Sequence, residues 1–253
     1  MSAPQQPAKC KYPILLVPGF LCVTERPGSK RTGRYFRGVV RYLKTAGNQV
    51  VCLPTPPAAS MADRANYLAE GIKKYPVLGD SPFNIIAHSM GGLDGRYLIS
   101  RLDFSDQVRS LVSLATPHRG TYVADLAMKT PALKNLLKRY LPAVDDLTCQ
   151  SSKKFNNETP DSPEVAYLSI AAWTKTIWCS PLMMPAHLIL KAHGEKNDGL
   201  VPISSMEWGQ VLETVEADHM ELIGLKIGLN VFRGYEHLAL YGGITEVLKK
   251  RGF

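Results

Sequence analysis

The sequence predicts an α/β fold: a mostly parallel central sheet with helices on both faces. Short apolar runs of strand length recur along the chain, stretches with helical spacing separate them, and Pro or Gly punctuates most junctions. Strands that alternate with helices of about ten to fifteen residues form parallel sheets covered on both sides. Such strands read as continuous rather than alternating apolar runs, because neither face meets water.

In chain order, "YPILLVPGF" (12–20) is the first strand, closed by Pro18-Gly19. "YFRGVVRYLKTAG" (35–47) reads as a helix ending at Gly47, and "NQVVCLP" (48–54) as a second buried strand. Ser60 and Asp63 form a helix-capping pattern, after which Met61, Ala65, Leu68, Ala69 and Ile72 recur at helical spacing until Pro76. "FNIIA" (83–87) is the third strand, Met90 to Arg101 the third helix, and "VRSLVSLATP" (108–117) the fourth strand. The rhythm then breaks. Residues 119–163 hold a helical stretch at 132–141, followed by the polar run "CQSSKKFNNETPDSP"; they read as an insertion over the sheet edge rather than a second domain. "EVAYLSIAA" (164–172) resumes as a strand, "HLILKAH" (187–193) is ambiguous between strand and helix, "QVLETVEA" (210–217) is a late strand, and "HLALYGGITEVLKKRG" closes the chain as a helix. One domain spanning 1–253 is expected.

Bulk properties exclude several classes. With 253 residues, 45% hydrophobic and 21% charged, the chain can bury a large core. No run approaches the roughly 18 to 20 apolar residues of a membrane-spanning helix. The polar N-terminus lacks the apolar centre of a secretory signal, so an intracellular or mature form is expected. Five scattered cysteines (Cys10, Cys22, Cys52, Cys149, Cys179) contain no CxxC pair, which points to free thiols with room for one bridge at most. The net charge of +8 gathers in the loop 25–34 and around Lys134, Lys138 and Arg139. No nucleic-acid-binding motif accompanies it, so no nucleic-acid partner is expected.

The chemistry concentrates at "FNIIAHSMGG". Ala87-His88-Ser89-Met90-Gly91 fits the small-x-Ser-x-Gly turn between strand and helix, with Ala87 where Gly is usual. The turn is tight enough that side chains larger than methyl would collide. A serine there is a nucleophile only if a base takes its proton. Of six histidines, His219 in "EADHMELIG" stands just after a strand on a loop, with His237 as its rival. Partners of such a serine follow in the order acid then histidine, which selects Asp198 in "EKNDGLVP" over Glu195; Asp218 adjoins His219 too closely to orient it. An oxyanion needs two backbone N–H donors. Met90, after the serine, supplies one, and Phe20, beyond Gly19, the other. The competing reading of Pro18-Gly19 is a simple strand terminator.

These motifs together resemble the bacterial true lipases of the α/β-hydrolase fold. "YPILLVPGF", "YFRGV", "IAHSMGG", "ATPHRGTYVADL", "NDGLVPISSMEWG" and "ADHMELIG" are similar to that family's motifs in register across most of residues 11–225. The resemblance implies Ser89, Asp198 and His219 as a catalytic triad, Phe20 and Met90 as oxyanion donors, and a lid within about 119–163. It implies a serine hydrolase cleaving carboxylic esters through an acyl-enzyme on Ser89, a lipase acting on acylglycerols at a lipid–water interface. Alternatives are a carboxylesterase on short soluble esters, a thioesterase or phospholipase using the same residues, and a binding module that has lost its chemistry. The lid helix would turn its leucines inward and its cations outward, and the basic loop 25–34 could favour anionic headgroups.

The chain departs from that family in places. Pro18 stands where the oxyanion loop usually carries histidine. Many relatives carry a disulfide and a calcium ion near the histidine loop. Here no cysteine follows Cys179, and Glu221 is a lone metal candidate without a partner acid before Asp198. No cofactor is expected to be required, and a monomer is expected.

Overall fold

A computed structural model of the chain describes residues 6–20, 34–79, 81–129 and 131–253, with the side chains of 132 and 133 outside the description. Cys22, Arg26, Lys30 and Arg31 of the sequence reading, and the side chain of Leu133, therefore lie outside the described residues.

Six strands form one all-parallel sheet in the order β2-β1-β3-β4-β5-β6. They are β1 (Ile14–Val17), β2 (Val50–Cys52), β3 (Phe83–His88), β4 (Val108–Leu114), β5 (Ala166–Trp173) and β6 (Gln210–Glu216). The helices are α1 (Val39–Thr45), α2 (Met61–Ile72), α3 (Pro76–Gly79), α4 (Gly91–Arg101), α5 (Tyr122–Lys129), α6 (Pro131–Tyr140), α7 (Ala143–Asp146), α8 (Cys149–Glu158), α9 (Met184–Ala192), α10 (Ile203–Met206) and α11 (His237–Lys250). Short 3-10 turns lie at Thr176–Trp178, Glu221–Ile223 and Gly228–Phe232.

Strands β1 to β4 are buried almost throughout and β5 over most of its length, as their apolar runs require, whereas the edge strand β6 is largely exposed, with Val215 its one buried residue. In β1, Ile14 and Leu16 point into a core with Phe36, Val39, Leu43, Tyr241, Ile244 and Leu248 of the α1 and α11 side. Leu15 and Val17 point the other way, onto Leu68, Ile72, Leu98 and Ile99 of α2 and α4. The period of two distributes one apolar run between two cores. Ser60 caps α2 as expected, its hydroxyl accepting the Asp63 N–H at 3.2 Å. No described helix is long and apolar enough to cross a membrane. Cys10, Cys52, Cys149 and Cys179 are free thiols.

The structure differs from the sequence reading in three segments. "HLILKAH" belongs to helix α9, with Pro185 in its first turn. The polar run after Thr148 is helix α8, begun by the Thr148 hydroxyl, which accepts the Ser151 N–H at 3.2 Å. It is pinned to the domain by buried Arg96, which donates to Asn156 at 2.6 Å and to the Thr159 carbonyl at 2.9 Å. Helix α6 corrects the third expectation: its apolar residues are not all inward. Leu136 is 55% and Tyr140 60% exposed, while Leu137 is half-buried. Spacing reports that a helix has an apolar stripe, not that a surface covers it.

Candidate active site

The chain runs from β1 outward to β2 and then back past β1 to β3. Ligands of open parallel sheets bind at such a reversal, beyond the carboxyl ends of the strands. Pro18-Gly19-Phe20 leaves the end of β1 and His88-Ser89-Met90 the end of β3, so the two segments face each other at this point.

Ser89 has φ +55°, a backbone region few residues other than glycine occupy. The turn is held by its neighbours. Ser89 N–H donates to the Leu114 carbonyl at 2.8 Å, and the Ser89 carbonyl accepts the Thr116 hydroxyl at 2.7 Å. A Cβ on Gly91 would lie 2.7 Å from the Val17 carbonyl oxygen and 2.8 Å from that of Pro18; one on Gly19 would lie 2.7 Å from Ser89 Cβ. Both glycines are there because the two segments touch. Ala87 is fully buried between β1 and β4, so its methyl fits. Phe20 packs on the cluster that holds Met90, and Met90 stands at the N-cap of α4, where the first N–H groups have no partner within the helix.

The acid and histidine loops meet behind this turn. His219 Nδ1 donates to Asp198 Oδ2 at 2.6 Å, and His219 N–H donates to the Asp198 carbonyl at 2.9 Å. Asp198 is fully buried; its Oδ1 accepts N–H groups of Leu200 and Val201 at 3.0 and 2.9 Å. Three hydrogen bonds fix the carboxylate, so its partner nitrogen is fixed with it.

Residues that sequence reasoning missed hold this frame together. His88 is wholly buried. Its ring lies 4.6 Å from that of His219, its Nε2 is 3.0 Å from the His219 carbonyl, and its Nδ1 is 2.8 Å from the Tyr35 hydroxyl. Burial and the neighbouring His219 push its pKa well below the usual imidazole value, so it is neutral. A neutral ring with the proton on Nε2 donates to the carbonyl and accepts from Tyr35, satisfying both contacts. Arg64, also wholly buried, clamps Asp94 with two nitrogens at 2.7 to 3.2 Å and donates to the Pro18 carbonyl at 3.0 Å. Desolvation raises the Asp94 pKa to about 6, against the pull of Arg64. The one sequence signal of this pair was an arginine on the apolar stripe of α2, four residues before Leu68.

The rival residues serve elsewhere. His237 Nε2 meets the Arg37 carbonyl at 2.7 Å, and Glu195 accepts the Ser204 hydroxyl at 3.3 Å. Asp218 accepts N–H groups of Ser180, Met220 and Glu221 and the amide of Asn230, each at 2.9 Å. Glu221, the metal candidate, accepts the Asp218 N–H at 2.9 Å and faces Arg233 at 3.4 Å. Among the described residues no three His, Cys, Asp or Glu side chains gather around one point. Glu221 Oε2 has a guanidinium beside it.

Fold, strained serine and buried acid–histidine pair are the features of a serine hydrolase of the α/β-hydrolase class. Comparisons with known proteins agree. The chain is 33% identical over 243 residues to triacylglycerol lipase 2 of Saccharomyces cerevisiae, covering 87% of this chain and 74% of that protein. It is 26% identical to a triacylglycerol lipase of Vibrio cholerae serotype O1, over 96% of this chain and 89% of that one. The structure superposes on a metagenomic carboxyl esterase with a TM-score of 0.82 at 22% identity, covering 99% of this chain and 79% of the other. The family model for palmitoyl protein thioesterase matches residues 28–168. The chain belongs to the triacylglycerol lipase family, within the α/β-hydrolases that the palmitoyl protein thioesterase model also describes. It is a hydrolase of carboxylic esters.

Proposed function

We propose that the chain is a lipase that cleaves acylglycerols through an acyl-enzyme on Ser89. The observation that carries the assignment is the 2.6 Å Asp198–His219 bond beside a serine held at φ +55°. With Nδ1 committed to Asp198, His219 keeps Nε2 for the Ser89 proton. Ser89 Oγ attacks the ester carbonyl, and the Phe20 and Met90 N–H groups hold the oxyanion. His219 then protonates the leaving alcohol, and water, activated by the same ring, releases the acid. Tyr35 and His88 brace the His219 loop, and the Arg64–Asp94 pair braces the Pro18 carbonyl that precedes the Phe20 donor.

The reaction needs no cofactor. Arg233 takes the place a metal would have beside Glu221, so chelator leaves the melting temperature unchanged. The chain acts as one domain and a monomer without a nucleic-acid partner. Its lid lies within 119–163, where the exposed Leu136 and Tyr140 of α6 give it an apolar side to present to lipid.

The names of the two relatives favour triacylglycerols as substrates, while the thioesterase family match favours a second reading, hydrolysis of an acyl thioester with the same residues. A hydrolysis profile from acetate to stearate esters, with palmitoyl thioester alongside, separates them. A lipase accelerates above the solubility limit of a long-chain ester. Saturation on short esters alone refutes the lipase reading, and preference for the thioester selects the second.

A further inference from the structure

Among the described residues, six of the eleven large apolar side chains left exposed crowd into two short segments. Ile177, Leu182 and Leu188 lie on the run from the 3-10 turn Thr176–Trp178 into α9; Leu229, Val231 and Phe232 lie on the 3-10 turn Gly228–Phe232. Leu182 is 77% and Phe232 82% exposed. Apolar patches of this kind on a folded chain mark surfaces that meet something.

The two segments make one face. Gly228 abuts Pro181, and the two turns pack on each other. Both also hang on the same atom: Ser180 N–H and the Asn230 side-chain amide each donate to Asp218 Oδ2 at 2.9 Å. Asp218 is bonded in sequence to His219, so this face is the outer side of the histidine loop. The acid loop leans on it too, with Gly199 packed against Met183 and Cys179.

Charge says what the face meets. Residues 174–194 and 222–235 contain no Asp or Glu but carry Lys175, Lys191, Lys226 and Arg233. Lys175 and Arg233 are both shared with Glu216, at 3.5 and 3.3 Å. Lys191 instead donates to the Thr176 hydroxyl at 3.1 Å, and Lys226 to the Arg233 carbonyl at 2.8 Å. Among the described residues neither has a carboxylate in salt-bridge reach. Apolar side chains at the centre with unpaired ammonium groups beside them match a bilayer surface of anionic lipid: aromatic and aliphatic groups enter the acyl boundary, and lysines stay at the headgroups.

We propose that residues 176–188 and 228–232 form a docking face for an anionic lipid surface, distinct from the lid, that seats the mouth of the site against lipid. The proposal deepens the lipase reading by naming the surface from which substrate is drawn. It rests on that reading for its purpose but not for its test.

Flotation reads binding without hydrolysis. The full chain carrying Ser89→Ala is mixed with vesicles of equal parts phosphatidylcholine and phosphatidylglycerol, or of phosphatidylcholine alone. It is expected to float with the mixed vesicles and weakly with the neutral ones. Leu182→Ser with Phe232→Ser lowers the bound fraction at fixed lipid by about tenfold or more on both. Lys191→Glu with Lys226→Glu lowers it on the mixed vesicles only. Melting temperatures within a few degrees of the parent's show that these surface changes leave the fold intact. Parent protein that stays at the bottom of the gradient, or variants that float as it does, overturns the proposal. So does a parent dimer that Phe232→Ser dissociates, which would make the face a contact between two copies. Hydrolysis of soluble p-nitrophenyl acetate by the unaltered chain reports the Ser89 chemistry separately, so either claim can fail alone.

Discussion

The turn at Ser89 and helix α6 both lie beyond the carboxyl ends of the sheet, yet they are built in opposite ways. Around Ser89 nearly every group is spoken for: a carboxylate with its acceptors filled, a neutral imidazole satisfied at both nitrogens, an arginine buried against an aspartate, and two glycines where a methyl would collide. Helix α6 leaves Leu136 and Tyr140 in water and Lys134 and Arg139 beside them. The difference teaches where precision is needed. Chemistry at a carbonyl tolerates little displacement of donors and nucleophile, whereas a surface that meets lipid is complete only when lipid arrives.

Four measurements would break or sharpen that contrast. The largest effect belongs to Ser89→Ala, which should lower kcat/KM on p-nitrophenyl esters by about 10⁴-fold or more with the fold retained; residual turnover near the parent's would move the nucleophile elsewhere. Next, Arg64→Ala leaves Asp94 as a buried charge without its partner and should cost about 3 to 5 kcal/mol in urea unfolding. A loss below about 1 kcal/mol would mean that the clamp beneath the Pro18 carbonyl holds little. The third is a pH dependence. Burial keeps His88 and His118 neutral, with pKa values well below the usual imidazole value, while the unfolded chain protonates them near 6.5. The unfolded state then binds more protons on the acid side, so stability is intact above about 6.5 and falls as the pH drops below it, by up to about 1.4 kcal/mol per pH unit for each ring. Urea midpoints at successive pH values test this, and His118→Gln should flatten the fall. Smallest of all, Leu136→Ser on α6 should change stability by less than about 0.5 kcal/mol. It should still lower the ratio of activity on emulsified to dissolved ester; an unchanged ratio removes α6 from the encounter with lipid.

Strands β1 to β5 were legible in the sequence because a parallel strand buried on both faces is a largely apolar run; the edge strand β6, QVLETVE with only Val215 buried, is not such a run. Asp198 with His219 was legible for a different reason: Asp198 stands on the loop after α9 and His219 on the loop after β6, and the order acid then histidine constrains the pair. Helix α8 was hidden because its residues are polar; what begins it is the Thr148 cap and what holds it is Arg96, 60 positions from its partner Asn156 and in a different helix. The outward leucine of α6 was hidden because a helical stripe looks the same whether a core or solvent lies beside it. The Arg64–Asp94 clamp and the Tyr35–His88 brace join residues thirty and fifty-three positions apart, and no local pattern announces a pairing of that range.

The approach of Gly91 to the carbonyl oxygens of Val17 and Pro18 has a consequence for how this chain can change over generations. One added carbon at that position would wedge the serine-bearing turn away from the loop that carries the Phe20 donor, and every activity of the enzyme would weaken together. New substrate preferences must therefore be explored at a distance, in the insertion and the lipid-facing turns, where a replaced side chain alters what is captured without disturbing how it is cut. So close a contact confines the molecule's inventiveness to its loosest surfaces.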